Sequence, residues 1–322
     1  MNKSAIIVIL LLIGNEISAQ KAVNYVDYHQ EVVGVENLLA EEKYDDALQA
    51  YEQLFEQYDF VFLRDYQLAT QIAWYLGKEE KTAELLSKGM RAGWTMKSIK
   101  KNSFLDEFRQ TSAWEAIQPT YRSLQEDYQA SLDQELRKQV KKMFSRDQRK
   151  ALGALLVLSD KGYQRYAEKR FAPHSNRQLK EFEKIMEKAG YPGEKRIGNH
   201  FWMSTILSHH NSTTPAVVQR DTLYPKIKPA LEKALAKGEM SAFEFILIEE
   251  WYRVSVAKPE CPLFGILDGP LEVEVDQTND GRKAHYLRSI EVHNRLVDLS
   301  EKTGMNFYLE GNPWSRKKIE IR

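Results

Sequence analysis

The sequence predicts a mainly α protein, with a short array of helical repeats followed by a helical domain that carries a small β-hairpin element. Three observations predict it. Apolar residues recur at helical spacing through the first half, and one helix pair is echoed thirty-six residues further on. The second half is cut into helix-length segments by Gly, Pro and Asn, apart from one short stretch that alternates with period two.

Residues 1–19 have the parts of a secretory signal. Lys3 gives the positive start, Ala5 to Ile13 is unbroken apolar sequence, and Ile17-Ser18-Ala19 offers a small residue for cleavage before Gln20. An uncleaved anchor or a buried core helix fits less well, because polar residues follow at once and the run is short of the ~20 residues that span a bilayer. The expectation is an exported chain, periplasmic or secreted, with no transmembrane segment after cleavage. Lys+Arg and Asp+Glu are equal at 46 each, which argues against nucleic acid as a partner. Cys261 is the only cysteine, so no intramolecular disulfide can form.

Residues 20–122 are expected to hold the repeats. Leu38 and Leu39, then Tyr44, Ala47 and Leu48, then Tyr51, Leu54 and Phe55 mark a helix pair broken near Glu41 to Lys43. A second pair follows at Gln67 to Leu76 and Lys81 to Arg91, with Gly77-Lys78 as its turn and Ala83 matching Ala47. The segment Lys43 to Tyr51 resembles the second helix of a tetratricopeptide repeat, where a small alanine allows close helix approach. Val35 and Asp59 depart from that family's glycine and proline. Two repeats bury little core alone, so Ser103 to Ile117, with Phe104, Leu105, Phe108, Trp114 and Ile117, is expected to cap them. The resemblance implies a surface that holds a protein partner.

Residues 123–311 read as the second domain and 312–322 as a tail. Gln125 to Lys142 is expected as one long connecting helix with a solvated charged face. Further helices are expected over Pro173 to Ala189, from an Asn199 cap to about His210, over Pro225 to Lys237, and over Ser241 to Val256. Ser241 with Glu244 forms a capping box. Leu271 to Val275 alternates as a strand would, with Asn279-Asp280-Gly281 as the hairpin turn.

From about residue 130 onward the chain resembles a bacterial family known as domain of unknown function 6624. The matches are Asp147-Gln148, Asn176-x-x-Leu179, Ile185, Gly190-Tyr191-Pro192, Ile197-Gly198, Ile206 to His210, Arg253, Phe264-Gly265, and Ile290 to Tyr308. Tyr252 and Ile266-Leu267 stand where that family has an acidic residue and a Thr-Gln pair. The resemblance implies architecture and no activity, and it places Asn176, His209, His210 and Arg253 as the polar residues of any site.

No reaction is identifiable from motifs. His200, His209 and His210 are spaced nine and ten apart, unlike paired metal ligands on one helix, so no metal or cofactor is expected. One of His209 and His210 is expected to cap its helix, the other to lie inside. Asp276 to Gly281 fails as a calcium loop, because Leu287 stands where a bidentate Glu is required. Glu249, Glu250 and Arg253 read as pairs on a helix surface. Three readings remain: a protein-binding or scaffold module using the repeats, an enzyme or small-ligand binder using a polar pocket of the C-terminal domain, or a purely structural second domain with no ligand.

Overall fold

The computed structural model describes residues 24–256, 263–309 and 318–322. The expected signal at residues 1–19 and Cys261 lie outside them. The described residues are mainly helical and include no strand. No described helix is long and apolar enough to cross a membrane.

Two helix hairpins open the chain: α1 (Tyr25–Ala40) with α2 (Tyr44–Gln57), then α3 (Leu63–Tyr75) with α4 (Glu79–Arg91). The turns fall at Glu41–Lys43 and Leu76–Lys78, where Glu42 and Gly77 adopt positive φ. Ala47 and Ala73 are fully buried where the helices meet. The segment after α4 is a run of short turns rather than one helix: α5 (Met96–Lys101), two 3-10 turns, and α6 (Ser112–Ile117). Trp94, Ile99, Leu105, Phe108 and Trp114 still give it a core of its own against Leu86 and Met90.

The long connecting helix is two helices, α7 (Tyr121–Ser131) and α8 (Gln134–Leu155). Leu132 is extended, and the Asp133 side chain caps α8 by accepting from Leu136 N at 3.0 Å. Leu136, Val140, Met143 and Asp147, spaced four, three and four apart, form the buried face of α8. A tip follows at residues 156–159, then α9 (Asp160–Tyr166), a π-helical turn at Ala167–Phe171, and α10 (Ala172–Ala189).

The remaining helices are α11 (Glu194–Ile197), α12 (Trp202–Asn211), α13 (Pro215–Val218), α14 (Leu223–Ala236), α15 (Ala242–Val256), α16 (Val275–Ala284) and α17 (Ile290–Thr303). The core of this half gathers Val140, Leu179, Phe182, Tyr191, Ile206, Leu231, Phe245 and Phe264. The Ser241–Glu244 capping box is present: Glu244 N donates to Ser241 Oγ at 3.2 Å, and Ser241 N to Glu244 Oε2 at 3.3 Å. Asn199 is not a cap. Helix α12 starts three residues later, and the Asn199 amide instead donates to Ala92 O at 2.9 Å, tying the two halves together.

The β-hairpin is absent. Residues 272–274 form a 3-10 turn, and Asn279, Asp280 and Gly281 lie inside α16. The alternation at Leu271 to Val275 has no core to face, since Val273 is 89% exposed. Burial of Thr278 and Arg282, four apart, selects the helix instead. The guanidinium of Arg282 donates to Phe264 O and Arg288 O, each at 2.7 Å.

Helix α17 packs on α1, and the chain after it runs along α3. Leu296, Leu299, Met305 and Phe307 join Val35, Leu39, Tyr51, Leu68 and Ile72 in one core. The Gln71 amide holds Asn306 at both ends, donating to its carbonyl at 2.9 Å and accepting its N–H at 2.8 Å. Arg64, two turns earlier on α3, reaches Tyr308 O at 3.3 Å.

A cavity between the two halves

Where α1 and α3 meet the second half, a cavity of about 360 Å³ opens. Tyr28, Val32 and Glu36 line it from α1 at helical spacing, with Leu63, Arg64 and Asp65 from the first turn of α3. The opposite wall is Glu194 of α11, Asn199 to Phe201, Ser241 to Glu244 at the start of α15, and Tyr286 to Arg288. The capping box therefore fixes one wall.

The floor is ionic. Glu36, 3% exposed, accepts from Arg64 Nη2 at 2.5 Å and from the buried Arg288. Two guanidiniums from remote segments so share one carboxylate, and each neutralises part of the cost of burying the others. Asp65 accepts the Tyr28 hydroxyl at 2.5 Å, and that hydroxyl accepts Phe62 N at 3.2 Å. Burial and the neighbouring Asp65 push the Tyr28 pKa well up, so it stays a donor.

Glu194 accepts Leu63 N at 2.6 Å, across the seam between the halves. Part of the residue's surface reaches the cavity, yet its carboxyl is enclosed by protein. Desolvation raises its pKa to about 8, against the opposing Leu63 hydrogen bond. Glu244 is buried as well, and desolvation raises its pKa. His29 is driven the other way, to about 4, by desolvation, and its Nε2 sits 3.3 Å from Leu235 O. His200 is also lowered, first by desolvation and then by Arg137 and Lys141. It stacks on Trp202 at 4.0 Å between centroids and meets Arg137 Nη2 at 3.0 Å. Near neutral pH both histidines are neutral hydrogen-bonding groups.

None of the four residues expected from sequence lines this cavity. Asn176 is exposed on α10. His209 Nδ1 lies 2.6 Å from Oδ2 of the fully buried Asp147, whose Oδ1 accepts Gln178 at 3.3 Å. His209 also borders a smaller hollow of about 160 Å³ between α8 and α9, whose wall includes Tyr163, Tyr166 and Phe171 but not Arg253. His210 is buried, with Nδ1 2.8 Å from Ser175 Oγ and Nε2 3.0 Å from Asp221. Neither histidine caps α12, because the Thr213 and Ser212 hydroxyls take the His210 and His209 carbonyls instead.

Arg253 lies over the Phe264 ring, 4.0 Å from its centroid, and 3.6 Å from Glu249. Glu249 and Glu250 are buried rather than on a helix surface. Glu249 accepts Tyr224 Oη at 2.8 Å and Lys228 Nζ at 2.5 Å, while Glu250 accepts the N–H groups of Phe264, Ile266 and Leu267. These residues hold the 264–267 loop on α15.

The cavity residues escape sequence reasoning because six separated segments supply them, the last being Tyr308 and Leu309. One local signal exists: Glu36 continues the Tyr28–Val32 face of α1, where a charge is out of place unless it is paired. Compared with protein-family models, curated proteins and solved structures, the chain has no significant match to any of them.

Proposed function

We propose that this chain is a small-ligand-binding protein whose ligand occupies the cavity between the helix hairpins and the second half. The observation that carries the reading is the cavity's make-up. Aromatic and aliphatic walls surround a few fixed polar groups, in the volume range of small-molecule sites. The Glu36–Arg64–Arg288 cluster and the Glu194 carboxyl supply orientation, and Phe62, Phe201, Phe243 and Tyr286 supply apolar contact.

A further point favours this over a protein partner on the repeats. The α1–α3 surface that would receive a partner is covered by the chain's own Leu296, Leu299, Met305 and Phe307. Export, expected from residues 1–19, would place the ligand in the envelope or outside the cell.

The test is a thermal-shift and native mass-spectrometry screen of small metabolites on the chain from Gln20, beside a Val32→Phe variant that fills the cavity. A ligand at a hundred times its Kd stabilises the folded state by about 2.7 kcal/mol. That shift is expected in the parent chain and absent in Val32→Phe, whose unliganded melting temperature stays within a few degrees. A shift of equal size in both proteins overturns the site. Capture of a protein partner through residues 20–122, with no small molecule bound, returns the reading to protein binding.

A further inference from the structure

Charge balance over the whole chain hides a sharp local imbalance. Between residues 134 and 171 there are eleven Lys and Arg against four Asp and Glu. On α8 the buried stripe has an outward counterpart, Lys138, Lys142, Ser145, Arg149, Leu152 and Leu156, spaced four, three, four, three and four. The outer face thus begins basic and ends in leucines.

The tip that joins α8 to α9 is unusually apolar for a solvent-facing turn. Leu155 is 78% exposed, Leu156 81% and Leu158 99%, with Leu152 and Tyr163 also exposed. The tip is nonetheless held in place. Tyr166 Oη donates to Lys150 O at 2.9 Å, joining α9 to α8, and Tyr163 Oη donates to Thr213 O at 3.2 Å. Around it stand Arg149, Lys150, Lys161, Arg165, Lys169 and Arg170, none of which forms an ion pair among the described residues.

Three kinds of occupant can be compared by what each would satisfy. A polyanion such as nucleic acid pairs the cations and leaves four leucines in water. A second copy packed tip to tip buries the leucines but sets Arg149, Lys161 and Arg165 against their own symmetry mates. An anionic bilayer surface satisfies both sets at once. Its headgroups meet the cations, and its acyl boundary takes the leucines.

We propose that the α8–α9 tip docks this protein on the surface of membranes rich in anionic phospholipid, with Leu155, Leu156 and Leu158 entering the headgroup boundary and Arg149, Lys161 and Arg165 contacting phosphates. Docking is peripheral and reversible, and it leaves the ligand cavity outside the contact, since no cavity residue belongs to the tip.

The experiment is vesicle co-sedimentation of the chain from Gln20, which removes the apolar run at residues 5–13 that would bind lipid by itself. Vesicles of phosphatidylglycerol mixed with phosphatidylcholine are compared with phosphatidylcholine alone. Binding is expected only to the anionic vesicles, weakening as salt rises. At about fivefold per surface cation, the Arg149→Gln/Lys161→Gln/Arg165→Gln variant should bind about a hundredfold more weakly. Leu156→Ser/Leu158→Asp should lose binding by tenfold or more. All five substituted positions face solvent, so both variants should keep the parental melting temperature.

Three results would overturn the proposal: no binding to anionic vesicles, equal binding by the parent and both variants, or sedimentation equilibrium showing a dimer that Leu156→Ser/Leu158→Asp dissociates. Binding of the parent to a DNA duplex with the same affinity as to anionic vesicles would also overturn it, by assigning the cations to a polyanion.

Discussion

At the scale of single residues, Glu194 gives the sharpest expectation. Its pKa in the folded protein is about 8 against an ordinary 4.5, so the folded state holds a proton that the unfolded chain releases. Below pH 4.5 both states are protonated and the group's contribution is fully present. As pH rises toward about 8 that contribution is lost, and above it the fold carries a buried carboxylate. Stability should therefore decline across this window, by on the order of a few kcal/mol. Glu194→Gln keeps an acceptor for Leu63 N and cannot ionise. Urea denaturation at a series of pH values should show that slope in the parent and its loss in the variant. If both decline alike, another group is responsible.

Elements depend on a few places where backbone meets backbone. The Gly190-Tyr191-Pro192-Gly193 turn after α10 is one. Gly190 takes φ +76°, and a Cβ on Gly193 would lie 2.0 Å from Glu239 O, a main-chain atom that cannot rotate away. Gly193→Ala should cost on the order of 2–4 kcal/mol in chemical denaturation, with α11 and Glu194 displaced from the cavity wall. These same punctuating residues are why the helices were largely legible. The breaks at Glu41 to Lys43, Gly77-Lys78 and Gly190 to Gly193, and the Ser241–Glu244 box, are local chemistry written in adjacent residues. Where the outcome was decided at a distance, local patterning misled. Leu271 to Val275 alternates correctly for a strand, but Arg282 is anchored by the Phe264 and Arg288 carbonyls, and a helix delivers it there. The cavity was illegible for the same reason. Glu36, Arg64 and Arg288 acquire meaning only together, and 252 positions separate the first from the last. His209 and His210 were expected as one helix cap and one interior residue; His210 is buried, His209 is half-buried, and their partners Asp147 and Asp221 lie too far away in sequence to be foreseen.

For the whole molecule, the two halves are not independent units. The core under α1 and α3 is completed by Leu296, Leu299, Met305 and Phe307, and the cavity by Arg288. A fragment of residues 20–122 should consequently show weak helicity and no cooperative melt, while the chain from Gln20 unfolds in one transition by circular dichroism. Adding a separate polypeptide of residues 123–322 should restore helicity to the fragment. A fragment that melts sharply alone would show that α17 is dispensable to the first half.

The return of α17 to α1 also orders events in time. Ribosomes deliver the first helices long before the last one, and more than two hundred residues separate Ile72 from Phe307. At about 5–20 residues per second, α1 and α3 wait on the order of ten seconds or more for the strap that closes their core. During that interval the leading third of the nascent polypeptide is an open, unfinished chain. Were the chain exported, passage through a narrow channel would be open to it only before α17 docks.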